Sequence, residues 1–204
     1  MPQAAEDMAA ELLAILGTGA QRGPLGLADM ADAGQVTAGL RALREARGEQ
    51  VKGRKIGFSN RTIWPLYGVN GPLWNYVWDT TVIAAPEGTA ELSLAGMCEP
   101  RIEPEIVLGL GRAPEPGMDE AALMGCIDRV AHGFEIVQSV FAGWKFTAPD
   151  AAAAFGLHGA LVVGPWHDIG ADRAGWGDRL RDFSVRLLKD GAVMDEGHAR
   201  NVLD

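Results

Sequence analysis

Three acidic residues have the types and the spacing to do chemistry. Glu103 and Glu105 stand two apart in Arg101-Ile102-Glu103-Pro104-Glu105-Ile106-Val107-Leu108, and Glu135 opens a second apolar run over residues 134–140. The first run reads as a β-strand, where a period of two puts both carboxylates on one face, with Cβ atoms roughly 7 Å apart. At an effective dielectric of about 20, two unit charges at that separation repel by about 2 kcal/mol. Arg101 is the only basic residue that alternates with them. Acids set in apolar strands need a counter-charge, and a hard divalent cation takes oxygen ligands of this kind. The same pattern also fits a solvated strand face that carries glutamates. Lys55 lies in another apolar run, where an unpaired ammonium is costly. With Asp79 it forms a pair of candidate catalytic residues.

The elements that must position these groups fall into two textures. Residues 1–50 are rich in Ala and Leu and helical in period. Ala9, Leu12, Leu13 and Leu16 form one stripe, stopped near Gly17 and Gly19. Val36, Leu40, Leu43 and Ala46 or Arg47 form a second, ending at Gly48. Residues 51–204 read as a β-rich body, with short apolar runs at 55–58, 80–84, 102–110, 134–140, 160–163 and 184–188 between Gly and Pro punctuation. A helix is expected across 119–133. Asp119 is its N-cap, Ala122, Leu123, Cys126, Ile127 and Val130 its apolar face, and Gly133 its stop. His132 then caps the helix end. Lys189-Asp190-Gly191 reads as a tight hairpin turn.

The composition bounds the class. A chain of 204 residues, 48% hydrophobic and 22% charged, is expected to fold as a single domain with a sizeable core. A net charge of −9 argues against nucleic acid or an anionic membrane surface as partner. Cys98 and Cys126 lack Cys-x-x-Cys spacing, so neither a structural zinc site nor a disulfide framework is suggested. The N-terminus lacks the basic stretch of a signal peptide and no apolar run has the length of a membrane span, so a cytoplasmic protein is expected. Gly109-Leu110-Gly111 follows a strand as a dinucleotide fingerprint would, but Pro114 and Pro116 break the helix that should follow. Trp64, Trp74 and Trp78 cluster with Tyr67 and Tyr76 between Lys55 and Asp79. That segment reads as a pocket wall over a small substrate, or as packing away from the main core.

Four segments in order carry a resemblance. Gly53-Arg54-Lys55-Ile56-Gly57-Phe58, Glu99-Pro100-Arg101-Ile102-Glu103-Pro104-Glu105-Ile106, Glu135-Ile136-Val137-Gln138-Ser139 and Trp144-Lys145 resemble the 2-keto-4-pentenoate hydratase group. That group includes 4-oxalocrotonate decarboxylases and belongs to the fumarylacetoacetate hydrolase superfamily. The resemblance implies an α+β fold, with N-terminal helices followed by a mixed β-roll like the fumarylacetoacetate hydrolase C-terminal domain. It implies a Mg²⁺ or Mn²⁺ site with Glu103, Glu105 and Glu135 as ligands. It places Lys55 in the active site and Asp79 near the position of the family's pocket aspartate.

Such a site serves a 2-oxo or 2-hydroxy-2-enoic acid, which offers a carboxylate oxygen and the C2 oxygen as a chelate. Three protein carboxylates leave open positions on an octahedral ion, and negative charge at the C2 oxygen is stabilised there. A base such as Lys55 moves protons between that oxygen and carbon. Two departures from the family pattern stand out. Where family hydratases carry a Ser-Ser-Gly stretch, this chain has Phe155-Gly156-Leu157-His158-Gly159. His158 there is either a structural imidazole or a substrate hydrogen-bond donor and proton shuttle. The family also continues past Asn201-Val202-Leu203-Asp204, so the expectation is a chain short at the C-terminus or a core completed differently.

The expected function is a metal-dependent hydratase of a short 2-hydroxydienoate or 2-oxoenoate, such as 2-hydroxypenta-2,4-dienoate, in aromatic catabolism. Decarboxylation of an oxalocrotonate-type acid and acylpyruvate-type C–C hydrolysis are the alternatives, followed by a weakly active partner subunit. His158, Lys145, Trp74 and Trp78 are the candidate substrate-binding residues. Lys145 also fits a side chain laid over the neighbouring indole with its head in water. A wall of Trp and Tyr favours an uncharged substrate tail over a second carboxylate, which ranks the monocarboxylate hydratase first. A homo-oligomer is expected, with a pathway decarboxylase as a further partner.

Overall fold

The computed structural model describes residues 2–202. Leu203 and Asp204, part of the C-terminal stretch at which the chain is expected to be short, lie outside the described residues. In chain order the main elements are α1 (Gln3–Ile15), α2 (Met30–Ala46), β1 (Val51–Gly57), α3 (Trp64–Tyr67), β2 (Leu73–Trp78), β3 (Val82–Ala84), β4 (Arg101–Leu110), α4 (Glu120–Met124), β5 (Ile127–Val137), α5 (Ala148–Ala153), β6 (His158–Asp168), α6 (Arg173–Arg181), β7 (Ser184–Lys189) and β8 (Ala192–His198). The architecture is α+β. β1 and β2 form a ribbon, a four-stranded sheet runs β3-β6-β5-β4, and β7 and β8 form a second ribbon. Among the described residues no helix is long and apolar enough to cross a membrane.

The chain groups into two compact units. One comprises residues 1–82, 91–103 and 135–161, the other 83–90, 104–134 and 162–204. Each has its own core. In the first, the stripes of α1 and α2 do what their period requires. Ala5, Ala9 and Leu12 from α1 and Ala33, Val36 and Leu40 from α2 bury with Phe141, Phe155 and Ala151 to Ala154. Asp29 starts α2 by accepting the backbone N–H groups of Ala31 and Asp32, which would otherwise be orphaned. Thr147 and Asp150 cap α5 reciprocally. Asp150, fully buried, also accepts the Leu25 N–H and so ties the loop before α2 to that helix start. In the second unit Ile127, Val130 and Ile169 bury against Met124, Trp176 and Leu180.

Two elements differ from expectation. The helix expected across 119–133 stops after Met124, and Gly125 caps it. Asp119 is its N-cap as expected, accepting the Ala122 N–H. Ile127 to Val137 is strand β5, so His132 lies mid-strand and exposed rather than at a helix end. A short apolar run with Ile127, Val130 and Ile136 satisfies either period, and the β-branched content decides it. Conversely, the Gly- and Pro-punctuated segment after Lys55 holds strand β2, whose buried row is Leu73, Asn75 and Val77. The expected hairpin is present. β7 and β8 join through Asp190 and Gly191 at φ 52° and 80°, the two positive angles that a right-twisted two-residue turn needs.

A buried ion pair fixes the end of α2. Arg44 meets Glu49 at 2.5 Å, both side chains under a tenth exposed, and Thr80 donates its hydroxyl to the same carboxylate. The Arg44 guanidinium lies over Trp78, 4.6 Å from the ring centroid. Burial pushes the Glu49 carboxyl up, but the hydrogen bonds from Arg44 and Thr80 and the arginine charges outweigh it and hold it below the ordinary value of 4.5. A carboxyl depressed in the folded state adds stability that is present above its unfolded value and lost as pH falls through its folded one. Glu49→Gln is therefore expected to cost about 1.5–3 kcal/mol at neutral pH. In urea unfolding followed against pH, the gap to wild type should close on acidification below the ordinary glutamate value.

Candidate metal centre and active site

The register of the first ribbon decides which side chains share a face. In the antiparallel pair Lys55 lies opposite Asn75, and Ile56 opposite Trp74. Opposed residues project to the same side of the ribbon. Lys55 and Asn75 therefore share one face with buried Leu73 and Val77. Arg54, Ile56, Trp74 and Tyr76 occupy the other.

Lys55 is anchored at two points. Its ammonium lies 3.0 Å from Glu135 Oε2 and donates to the Gly156 carbonyl at 3.0 Å. That carbonyl belongs to a left-handed turn in which Phe155, Gly156 and Leu157 have φ of 60°, 60° and 62°. Side-chain-bearing residues rarely adopt this conformation, and the burial of Phe155 and Leu157 is what holds them in it. Gly156 is required by space as well. A Cβ there would stand 2.8 Å from that of Asn75 and 3.4 Å from Lys55 Cδ. Asn75 in turn donates to the Ala152 carbonyl at 2.7 Å, locking the ribbon to α5.

Glu135, 2% exposed, is the centre of this network. His158 Nδ1 lies 2.6 Å from its Oε1, and His158 Nε2 lies 2.9 Å from Thr81 Oγ1. Burial pushes the Glu135 carboxyl up, but the His158 hydrogen bond and the Lys55 charge outweigh it, so the group lies below the usual glutamate range. A carboxylate only accepts, so the His158 Nδ1 proton points at it. Glu103 shifts the other way. Its surface is solvent-exposed, yet the protein packed around its carboxylate displaces water and raises it. Lys55 and Arg101 oppose this and Glu135 adds to it.

Glu103, Glu105 and Glu135 each offer a carboxylate oxygen, and these oxygens lie within 4.8 Å of one another. In an octahedral magnesium site with ligands at about 2.1 Å, ligand oxygens stand about 3.0–4.2 Å apart. The 4.8 Å limit lies slightly above that range. The donors are hard oxygens and supply up to three of six positions, so the residues fit a divalent cation with room for a chelating ligand.

Several expected site residues stand elsewhere. Asp79 Oδ1 accepts the backbone N–H groups of Gln50 and Thr80, at 2.9 and 3.0 Å, and closes the end of the β1–β2 ribbon. Trp74 and Trp78 lie on the face opposite Lys55. Trp74, 47% exposed, carries Arg54 over its ring, and Trp78 is buried beneath Arg44. Neither forms a wall beside Lys55, because the strand period turns them away from it. Lys145 is exposed, and the cation over Trp144 is Arg101, 3.9 Å from the ring centroid. His158 has a 2% exposed side chain and both ring nitrogens engaged within the protein, Nδ1 on Glu135 and Nε2 on Thr81. Thr81, Asn75 and Gly156 emerge as supporting residues that the sequence reading passed over. Asn75 was detectable in principle as the lone polar member of an alternating buried row; nothing in the sequence marks the Thr81 hydroxyl.

No family model matches the chain. Curated relatives do. It is 32% identical over 172 residues to a 4-oxalocrotonate decarboxylase of Pseudomonas sp., covering 84% of this chain and 63% of the relative. It is 32% identical over 138 residues to a 2-hydroxyhexa-2,4-dienoate hydratase of Comamonas testosteroni, covering 67% and 52%. A 2-hydroxypent-2,4-dienoate hydratase of Pseudomonas putida is 30% identical over 134 residues, with 65% and 60% covered. The chain thus spans between half and two thirds of the length of these relatives. Its fold is that of the 4-oxalocrotonate decarboxylase from Pseudomonas putida G7 complexed with magnesium and adipate. That likeness has a TM-score of 0.86 at 21% identity over 98% of this chain and 74% of the other. The same enzyme complexed with calcium and acetate gives 0.83. On sequence and fold together, the chain belongs to the group that holds the 2-keto-4-pentenoate hydratases and the 4-oxalocrotonate decarboxylases.

Proposed function

We propose that this chain is a divalent-metal-dependent lyase of short 2-oxo- or 2-hydroxy-enoic acids, with hydration as its first reaction. The observation that carries this is the convergence of Glu103, Glu105 and Glu135 within 4.8 Å, with the Lys55 ammonium 3.0 Å from the third carboxylate. Mg²⁺ or Mn²⁺ held by these three carboxylates supplies Lewis acidity toward the oxygens of a 2-oxo acid. In this reading Lys55 is the group that moves a proton. Its Nζ is held by Glu135 and the Gly156 carbonyl on the side where the cation's ligands converge. Protonating carbon as the C2 hydroxyl loses its proton gives the 2-oxo form, whose conjugated double bond then takes up water. His158 and Thr81 keep Glu135 oriented throughout.

The names of the relatives, hydratases and decarboxylases alike, support a lyase, and the magnesium of the structural neighbour supports the cation. Decarboxylation is the second reading, favoured by a guanidinium on the same strand face as the acids, that of Arg101. Homo-oligomeric assembly, a pathway decarboxylase as partner and a cytoplasmic location belong to the same proposal. The test is an NMR product assay with Mg²⁺ on 2-hydroxypenta-2,4-dienoate, oxalocrotonate and an acylpyruvate. Metal-dependent hydration or CO₂ release is the expected result. Turnover of none of them, with the folded protein binding Mg²⁺, would point instead to a weakly active partner subunit.

A further inference from the structure

The aromatic side chains that β2 turns away from Lys55 line a surface groove of about 130 Å³ against α2 and α5. Trp74 and Tyr76 form its aromatic wall, edge to face with centroids 5.3 Å apart. Ala33, Gly34 and Ala38 of α2 and Ala152 of α5 form its floor. The volume suits a single ring, since an apolar cavity of about 150 Å³ takes benzene. Gly34 keeps the floor bare. It lies past the first turn of a 17-residue helix, where glycine is less favourable than any residue but proline. A Cβ at Gly34 would meet nothing within 4 Å, so no packing contact requires the glycine. Two guanidiniums stand against the aromatic wall. Arg54, exposed and opposite Tyr76 in the register, lies 4.6 Å from the Trp74 centroid and 5.9 Å from that of Tyr76. Arg41 lies 5.0 Å from the Tyr76 centroid, donates to its hydroxyl at 3.2 Å and pairs with Glu45 at 2.8 Å.

We propose that this groove is a second ligand site, separate from the metal centre, for a monocyclic aromatic carboxylate. The ring packs on the bare floor at Gly34 and meets Trp74 and Tyr76, whose T-shaped pair accepts a third ring edge-on or offset. The carboxylate meets Arg54. A guanidinium laid on an indole keeps its N–H donors directed outward in the plane, the geometry that matches a carboxylate. The charge is complementary in a chain whose net charge of −9 otherwise repels anions. The ribbon face that carries Trp74 and Tyr76 is opposite the face of Lys55, so a ligand here does not occupy the site of the three acids.

The test is a ¹H–¹⁵N NMR titration with benzoate and with benzyl alcohol, its uncharged counterpart, in EDTA and again with Mg²⁺. Trp74→Phe assigns the Trp74 indole signal. Benzoate is expected to shift that signal saturably, with the same affinity in both conditions, and to bind about 10-fold tighter than benzyl alcohol, the low end for a charge-assisted hydrogen bond. Gly34→Leu puts a side chain on the floor and should abolish the shift with both probes, while the unfolding midpoint holds or rises because leucine favours helix. Arg54→Met, on an exposed position, should bring benzoate down to the affinity of benzyl alcohol and leave benzyl alcohol unmoved. A Trp74 signal that benzoate does not move would overturn the inference. So would benzoate binding that needs Mg²⁺, or that is unchanged in either Gly34→Leu or Arg54→Met.

Discussion

Lys55→Met is expected to lower turnover by about 10²- to 10⁴-fold, the range for removing a positioned acid–base group. Magnesium affinity should stay level or rise. The sign follows from the contacts of Glu135. The Lys55 ammonium stands 3.0 Å from Oε2 of a carboxylate that a cation would also use, so the two positive charges compete for it. Removing the ammonium leaves Glu135 still held by His158 at Oε1. Methionine fills similar volume, and the Gly156 carbonyl loses only a donor. The measurement is kcat for the best substrate of the NMR assay, with magnesium affinity by calorimetry in parallel. Turnover within a few-fold of wild type would remove Lys55 from the chemistry. Loss of magnesium binding in the variant would show that the lysine builds the site rather than acts in it.

Glu135→Gln is the second large effect, and it reaches stability as well as activity. Glu135 is 2% exposed and accepts from two donors, His158 Nδ1 on one oxygen and Lys55 Nζ on the other. An amide has one acceptor oxygen, so its NH₂ must face either the ammonium or the imidazole N–H. Removing the charge from such a buried network is expected to cost on the order of 3–5 kcal/mol. Metal affinity should fall by more than the about 10- to 100-fold that a supporting group alone is worth. Urea unfolding in EDTA reads the first effect, and the midpoint shift on adding Mg²⁺ reads the second. A variant as stable as wild type and equally stabilised by Mg²⁺ would contradict both roles.

Particular residues show why part of this was legible in the sequence. The α1 and α2 stripes, the Asp119 cap and the Asp190-Gly191 turn are local signals, complete within one helical turn or one hairpin, and each stands in the structure as read. Glu103 and Glu105 were legible because a strand period needs only two residues to be seen. The helix expected through Gly133 failed because Ile127 and Val130 fit either period, and the neighbours that settle it are distant in sequence. Trp74 and Trp78 are close to Lys55 in sequence, but the register Lys55 opposite Asn75 turns them to the other face of the ribbon, which only the strand pairing reveals. The Glu135–His158–Thr81 chain joins residues 23 and 77 positions apart through hydrogen bonds that leave no periodic trace. Arg101 was visible beside the acids from the start. Its partners Tyr67 and Trp144 are 34 and 43 positions away along the chain and only the fold assembles them.

The central claim is that Glu103, Glu105 and Glu135 hold one divalent cation to which a 2-oxo acid adds. The most direct measurement is an electron paramagnetic resonance titration with Mn²⁺, before and after 2-oxoadipate. One bound Mn²⁺ per chain is predicted, its signal altered by the 2-oxo acid and its affinity sharply reduced in Glu105→Gln. A titration that shows no tight Mn²⁺, or one equally tight in wild type and Glu105→Gln, would contradict the account.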